Sequence, residues 1–367
     1  MRRSGVLELK LHYGTAPQWL VSRMVRLAKV IFRVMVDELG VEELLVRLSD
    51  PLFFQACSNV LGFDWDSSGS TTVTCGVLKD VFREEDLGIK AAGGKGEASK
   101  KTLEEIETLS EPLGLSTSRV EELKYASRMT AKVDSAAIQA GYQIYHHTLF
   151  MAEGGSWVVV QQGLNPATRT ARRYHWQSRN LKSFVEEPHS GIWGEKVHKQ
   201  VLDMTAQESG ECRKTCRDLV VDNPDKTLRP YLVVAPPSQQ TLEGWLSSVA
   251  AAKFYRVYSG KVNWQALREA YEVKPKDFQE VLAVKGIGPA TVRGLALVSQ
   301  LIYGAKPSWK DPLRFSFAFG GKDGVPFPVR KRAMEKAAEY LKQAVEAAEL
   351  GRKDKLDALK RLGSLYS

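Results

Sequence analysis

The sequence has little cysteine. Its four cysteines, at positions 57, 75, 212 and 216, are too few and too scattered among 367 residues for a disulfide framework. Cys212 and Cys216 are separated by RKT, so they do not form the CxxC pair typical of a structural zinc site. The sequence therefore excludes the disulfide-rich class of protein and argues against structural zinc.

Long apolar runs are also missing. No segment reaches the roughly 18 apolar residues that a membrane-spanning helix needs. The first residues, MRRSGVLELKLHYG, lack the apolar centre of a signal peptide. We therefore expect a cytoplasmic protein without a membrane partner.

Positive charge is in excess. The chain has 52 lysines and arginines against 43 aspartates and glutamates, which gives a net charge of +9. This excess favours a polyanionic partner such as DNA. The alternative is a basic protein whose charge has no binding role. No nucleotide cofactor is predicted, and the sequence leaves a homo-oligomer open.

The patterning predicts an α+β protein with two domains. Residues 1–220 mix helical segments with two alternating runs, YQIYHHTLF and SWVVVQQGL, that predict a β-hairpin or small sheet. Residues 221–241 concentrate proline and polar turn residues, which is typical of a linker. Residues 242–367 have only helical periodicity. The expected architecture is therefore a mixed domain followed by an all-helical domain.

Within the first region, PQWLVSRMVRLAKVIFRVMVDEL predicts a helix over residues 17–39, with an apolar stripe at helical spacing. A second helix is expected after Ser49 or Asp50 as the capping residue, followed by a polar loop, FDWDSSGSTT. The glycine- and lysine-rich residues 91–102 predict an exposed loop.

The segment VKGIGPAT, residues 284–291, resembles the helix-hairpin-helix module of DNA repair proteins. Glycines at both turn positions allow a sharp bend and a close approach of the backbone to a ligand. Backbone N–H groups and two basic side chains could then hold a phosphate. The alternative is a plain glycine turn between helices. The predicted DNA contacts here are Lys285, Gly286, Gly288, Thr291 and Arg293.

Two further residues follow the module. Resemblance to base-excision glycosylases implies a catalytic aspartate beyond the hairpin, and Asp311 occupies a suitable position, although Ala290 stands where a nucleophilic lysine is found in some of them. The alternative is that Asp311 and the proline after it simply start a turn. Lys322, in FGGKDGVPFPV, is a further candidate phosphate contact.

The region before residue 220 carries a denser set of polar residues. Adjacent strand residues point to opposite faces, so only one of His146 and His147 can share a site with Gln161. A helix that presents Asp134 over such a hairpin predicts one of two sites. It is either a divalent-metal site (Mg or Mn), with Asp134 and His146 as the ligands, or a general base. The predicted catalytic residues are Asp134, His146, His147, Gln161 and Lys95.

In ARRYHW, Arg172 and Arg173 have two interpretations. They form either a solvated basic helix face or a phosphate clamp with aromatic rings for stacking on bases. We favour the clamp and predict that both arginines contact DNA.

Several segments together resemble one family. VLGFDWDSSGSTTV, ASRMTAKVDSAAIQAGYQIYHHTLF, WVVVQQGLNPATRTARRYHW and RFSFAFGGKDGVPFPV are similar to a prokaryotic, largely archaeal family named only as domain of unknown function number seven hundred and sixty-three. The resemblance covers nearly the whole chain and implies kinship without a reaction. His12 and Asp64 fall inside its segments, and Asp66 stands where a histidine is expected in relatives.

Three functions are therefore compared. The first is a metal-dependent nuclease in DNA repair or recombination, in which Lys95, Arg172 and Arg173 steady phosphate charge. The second is a base-lesion glycosylase that uses Asp311. The third is a non-catalytic DNA-binding adaptor.

Overall fold

The structure is a computed structural model that describes residues 16–63, 68–194, 196–232, 262–313 and 331–363. It is an α+β protein, as the sequence predicts. The helices are α1 (Gln18–Leu39), α2 (Val41–Leu48), α3 (Pro51–Leu61), α4 (Ser68–Glu84), α5 (Glu97–Lys100), α6 (Thr102–Ser110), α7 (Thr117–Lys132), α8 (Gly210–Val221), α9 (Pro224–Thr227), α10 (Trp264–Val273), α11 (Phe278–Ala283), α12 (Pro289–Tyr303), α13 (Lys331–Ala347) and α14 (Arg352–Gly363). A π-helical turn, Val133–Ala137, continues α7, and a 3-10 turn, Gln207–Ser209, precedes α8.

The strands are β1 (Ile89–Lys95), β2 (Ile138–Gln139), β3 (Gln143–Ala152), β4 (Trp157–Asn165), β5 (Thr170–Gln177), β6 (Gly191–Gly194) and β7 (Leu202–Asp203). Five of them form an antiparallel sheet in the order β1-β3-β4-β5-β6, and β2 pairs with β7. β3 and β4 are the predicted hairpin, which is confirmed.

Helices cover both faces of the five-stranded sheet. On one face, which we call the α4 face, apolar residues of the sheet pack with α1–α4, α13 and α14. On the other, the α7 face, they pack with α6–α8 and α10–α12. The alternation of strand side chains explains the two cores, since Phe150 contributes to the first and Leu149 to the second.

The two cores do not follow the order of the chain. Helices α10–α12 join the core beneath the sheet, while α13 and α14 return to the opposite face and pack on α1 and α3. The described part of the predicted linker contains α9, and Leu228 and Leu232 are buried in the core of the α7 face. The domain limits stay a prediction, because residues 233–261 lie outside the described part of the chain.

Several local expectations are confirmed. α1 begins directly after Pro17 and buries Met24, Ile31 and Met35 on one stripe. Asp50 caps α3, because its carboxylate accepts a hydrogen bond from the N–H of Leu52 at 2.8 Å. The polar loop is shorter than expected, since α4 already begins at Ser68.

The glycine-rich segment is a strand followed by a helix, and the predicted exposed loop is wrong. β1 pairs with β3 along its whole length, from Ile89 opposite Ala152 to Lys95 opposite His146. A Cβ atom at Gly93 would lie 2.2 Å from the carbonyl oxygen of His147. The glycine is therefore needed for the close approach of two backbones within the sheet.

In the part of the chain that the structure describes, no helix combines the length and the apolar character needed to cross a membrane.

Candidate functional site: two polar rows on the central sheet

Polar side chains form two rows across the middle of the sheet. On the α4 face, cross-strand neighbours run from Lys95 to His146, Gln162, Arg173 and Trp193. The adjacent residue in each strand points to the α7 face. The row on that face consists of Gly94, His147, Gln161, Tyr174 and Ile192. Paired residues share a face, so the rows lie back to back and His146 and His147 belong to different ones.

The row on the α7 face is organised around Asp134, which is fully buried in the π-helical turn after α7. Its Oδ2 accepts hydrogen bonds from the amide of Gln161 and, at 2.9 Å, from the indole N–H of Trp176. Its Oδ1 lies 2.5 Å from Nε2 of His189. Three donors thus surround this carboxylate.

The bonds of Gln161 fix the proton positions of the network. Its Nε2 donates to Asp134 and to the carbonyl of Thr130, so Oε1 must accept from Nδ1 of His147 at 2.8 Å. Nε2 of His147 is then the acceptor for the hydroxyl of Ser127, 2.9 Å away. Burial lowers the pKa of His147, which agrees with a neutral ring.

A serine that donates to a neutral histidine resembles a nucleophile beside its base. Ser127, however, is only 4% exposed. The chain of bonds from Ser127 through His147 and Gln161 to Asp134 therefore lies in the interior, where it satisfies buried polar groups and holds α7 on the sheet.

The predicted metal ligands Asp134 and His146 do not meet. Asp134 bonds to residues of the α7 face, whereas Nε2 of His146 lies 3.1 Å from the hydroxyl of Thr148 on the α4 face. The sheet lies between them, so the prediction that these two residues bind one metal ion is wrong. Among the described residues, no group of three or more His, Cys, Asp or Glu side chains has the arrangement of a metal site.

The row on the α4 face changes from exposed to buried along its length. Lys95 is exposed, whereas His146 and Gln162 are buried. Burial, with smaller effects of His147 and Lys95, lowers the pKa of His146 to about 3. The ring is therefore neutral at pH 7, and so low a pKa makes it a weak base. A register irregularity between Ile144 and His146 accompanies this stretch of β3.

Arg173 ends the polar part of that row and is 1% exposed. Its guanidinium donates to the carbonyl of Pro51 at 3.2 Å and to Gln55 at 3.3 Å, and it lies 4.7 Å from the ring centre of Phe54. ARRYHW is therefore the buried strand β5, and neither a helix face nor a surface clamp. Arg173 cannot contact DNA directly without rearrangement.

Arg172 is buried on the opposite face. One of its nitrogens, Nη2, lies 2.8 Å from Oδ2 of Asp311, and the two side chains are 0% and 1% exposed. Asp311 also accepts from the N–H groups of His198 and Leu313. Both expectations are therefore wrong. Arg172 is not a surface phosphate contact, and Asp311 is a structural counter-ion that does not face a substrate.

The turn between α11 and α12 is exposed. Gly286 has a φ of 90°, in the region that glycine adopts most easily, and a Cβ atom there would lie 2.7 Å from the side-chain nitrogen of Asn263. A Cβ atom at Gly288 would meet nothing within 4 Å. Lys285 is exposed and Ile287 is fully buried. The turn is thus anchored by Ile287 and open around Gly288.

Two other predicted contacts of this module are less accessible. Thr291 is 2% exposed and its hydroxyl accepts the N–H of Asn263 at 3.1 Å, so it fixes the turn from inside. Arg293 is half-buried, with its guanidinium 5.5 Å from the ring centre of Trp309, and desolvation lowers its pKa. His12, Asp64, Asp66 and Lys322 lie outside the described residues.

Sequence reasoning missed His189 and the roles of Ser127 and Trp176. SFVEEPH carries His189, but a lone histidine in a loop gives no pattern by which to pair it with Asp134. The conformation of the segment between β5 and β6 places His189 beside Asp134, and residue spacing in the sequence does not predict that conformation.

The chain belongs to a family described as "Protein of unknown function (DUF763)", whose model matches residues 5–329. The resemblance expected from the sequence is therefore confirmed. No curated protein matches the chain, and no solved structure matches it.

Proposed function

We propose that the protein binds DNA through the turn at residues 284–289. The observation that carries this proposal is an exposed lysine beside two glycines, one with a φ of 90° and one with open space around it, at the start of a 15-residue helix. The first N–H groups of a helix have no partner within it and attract anions. A DNA phosphate is the anion that this turn and the net charge of +9 suit best.

DNA processing by phosphodiester hydrolysis is the second candidate. It is favoured by exposed Lys95 at the end of the row on the α4 face, because a lysine stabilises phosphate charge. His146, opposite Lys95, is 1% exposed and has a pKa of about 3, so it is too weak a base and too deeply buried to activate a nucleophile. Because Asp134 and His146 lie on opposite faces, they do not support the expected Mg or Mn site, and no step here depends on a metal.

The glycosylase alternative loses its main support. Asp311 is bonded to Arg172 and to two backbone N–H groups, so its carboxylate has no free approach to a base. A non-catalytic adaptor remains as an outcome of the test below.

The test measures binding and cleavage of labelled single-stranded, duplex and branched DNA, with Mg²⁺, with Mn²⁺ and with chelator. Wild-type affinity should fall steeply with salt, because bound phosphates release counterions. Lys285→Ala should weaken binding to every sequence alike and reduce the salt slope by about one ion. Gly288→Val should also weaken binding, because its side chain occupies the open space at the turn.

Thermal unfolding of each variant is the control, and it should match wild type because Lys285 is exposed and Gly288 has an ordinary φ of −113°. A folded Lys285→Ala protein with wild-type affinity and salt slope would contradict DNA binding by this turn. Binding without cleavage in all three conditions would favour the adaptor over the nuclease.

A further inference from the structure

An open cleft lies between α7 and the segment that follows β5. It has a volume of about 640 Å³, within the range of small-molecule sites. Aromatic rings form its floor, and hydroxyl, carboxylate and guanidinium groups lie around them. The lining residues used below are Arg119, Glu121, Glu122, Tyr125, Trp157 and Phe184.

Phe184 is the central ring of the cleft. It is half-buried, stacks on Trp157 with ring centres 6.1 Å apart and an angle of 7°, and meets Tyr125 edge to face at 5.7 Å. Rigid aromatic surfaces that stay partly exposed are well suited to stacking on a flat ligand.

The charges around the rings disfavour a phosphate in the cleft. Glu121 and Glu122 are exposed, and no positive residue among the described lining residues is left unpaired, since Arg119 is paired with Glu122. Glu121 is paired with Lys124, which does not line the cleft, at 3.1 Å. Carboxylates repel a phosphate, but they accept hydrogen bonds from the amino groups of adenine, cytosine and guanine. Ring stacking and carboxylate acceptors together fit a nucleobase.

The cleft is linked to the turn proposed to bind DNA. Gln279, in the first turn of α11, donates to the hydroxyl of Tyr125 at 2.9 Å and accepts the N–H of Phe184 at 3.2 Å. α11 then leads directly to the turn at 284–289. With six residues and a rise of about 1.5 Å each, α11 is about 9 Å long. A length of this size is within the span of a few nucleotides, which rise about 3.4 Å each when stacked.

We propose that this cleft binds an unpaired nucleobase of the DNA whose phosphate the turn holds. The proposal rests on the proposed function and deepens it: the substrate class is DNA with at least one base out of the duplex stack. Such a base exposes both its ring face and its amino edge, whereas a paired base hides them.

The test compares three DNAs of one sequence context: a single strand, a perfect duplex and a duplex with one bulged adenine. Phe184→Leu keeps an apolar side chain but removes the stacking face. We expect it to weaken binding of the single strand and the bulged duplex about five- to a hundredfold, the range of one base–aromatic stack, and to leave the perfect duplex unchanged. Lys285→Ala should weaken all three.

The matched control is Trp19→Leu, which removes an exposed aromatic ring on α1, outside the cleft, so it should bind all three DNAs as wild type does. Equal effects of Phe184→Leu on every DNA, or no effect, in a protein with a normal unfolding transition would overturn the proposal.

A second measurement separates the cleft from the turn. Adenosine monophosphate and ribose 5-phosphate are titrated against the intact protein while tryptophan fluorescence is followed. If wild type binds no DNA, the proposed function fails; a response to the adenosine compound alone, lost in Phe184→Leu, would still support the cleft. No response to either compound, together with no DNA binding, would overturn both.

Discussion

Arg172 and Asp311 are 139 residues apart in the chain, and their side chains form a salt bridge of 2.8 Å inside the protein. The bridge fastens the segment after α12 to β5. Among the described residues, Nε and Nη1 of Arg172 have no hydrogen-bond partner, and the hydroxyl of nearby Tyr174 has none either. In the same part of the chain, Asp311 is the carboxylate that is bonded to this buried guanidinium.

We expect Asp311→Ala to lower the free energy of unfolding by about 3–5 kcal/mol, because it leaves the guanidinium of Arg172 buried without its counter-ion. Urea unfolding followed by circular dichroism measures the loss. The control is the double variant Arg172→Met with Asp311→Leu, which should recover most of the stability. A loss below about 1 kcal/mol for Asp311→Ala would instead indicate an exposed aspartate, as the glycosylase hypothesis requires.

The two glycines of the turn should differ in how strongly a substitution destabilises the protein. Gly286→Ala should lower the unfolding free energy by more than 1 kcal/mol, on the order of the cost of a strained φ plus the contact with Asn263. Gly288→Ala should change it by less than about 0.5 kcal/mol, because its φ is ordinary and the space is open. Thermal unfolding of the pair checks this. Equal losses in both variants would show that the turn has a different backbone.

Acid should destabilise the protein. Burial lowers the pKa of His146 to about 3 and also lowers that of His147 and His175. As the pH falls, these histidines therefore bind protons in the unfolded chain before they do so in the folded chain. The stabilising effect of the neutral rings is therefore fully present above about pH 6.5 and is lost as the pH falls, by about 1.4 kcal/mol per pH unit towards pH 3 for His146, with His147 and His175 acting in the same direction. Burial raises the pKa of Asp50 and Asp203, which opposes the trend between their raised pKa and about pH 3.9, where the carboxyls of the unfolded chain also protonate.

Unfolding in urea at several pH values gives the slope. His146→Gln should reduce it by about one proton between pH 6 and pH 4, because one buried neutral histidine is removed. A slope that is the same in wild type and variant would mean that His146 titrates equally in the folded and unfolded chain.

Local periodicity predicted much of the fold. The stripe of α1, the cap of α3 by Asp50 and the β3–β4 hairpin depend on residues close in sequence, whose spacing is read directly. The same rule of alternation placed His146 and His147 on opposite faces. It could not report which face Asp134 would approach, since that depends on how α7 packs on the sheet.

The main error of the sequence-based predictions was to expect buried residues at the surface. Two adjacent arginines in ARRYHW were expected at the surface because charged residues are seldom fully buried. The structure buries both: Arg172 is compensated by Asp311, far along the chain, and Arg173 by acceptors in α3. The glycine-rich strand β1 was missed for a related reason, since its glycines serve the approach of β3 and carry no local strand signal.

The sequence by itself determined the family, the α+β class, the helices with clear stripes and the turn at residues 284–289, because each is encoded in neighbouring residues or in a match along the chain. Only the tertiary structure decided which polar residues meet. The Asp134 network, the Arg172–Asp311 bridge and the aromatic cleft join segments that are distant in sequence, and their contacts arise from the packing of helices on both faces of one sheet.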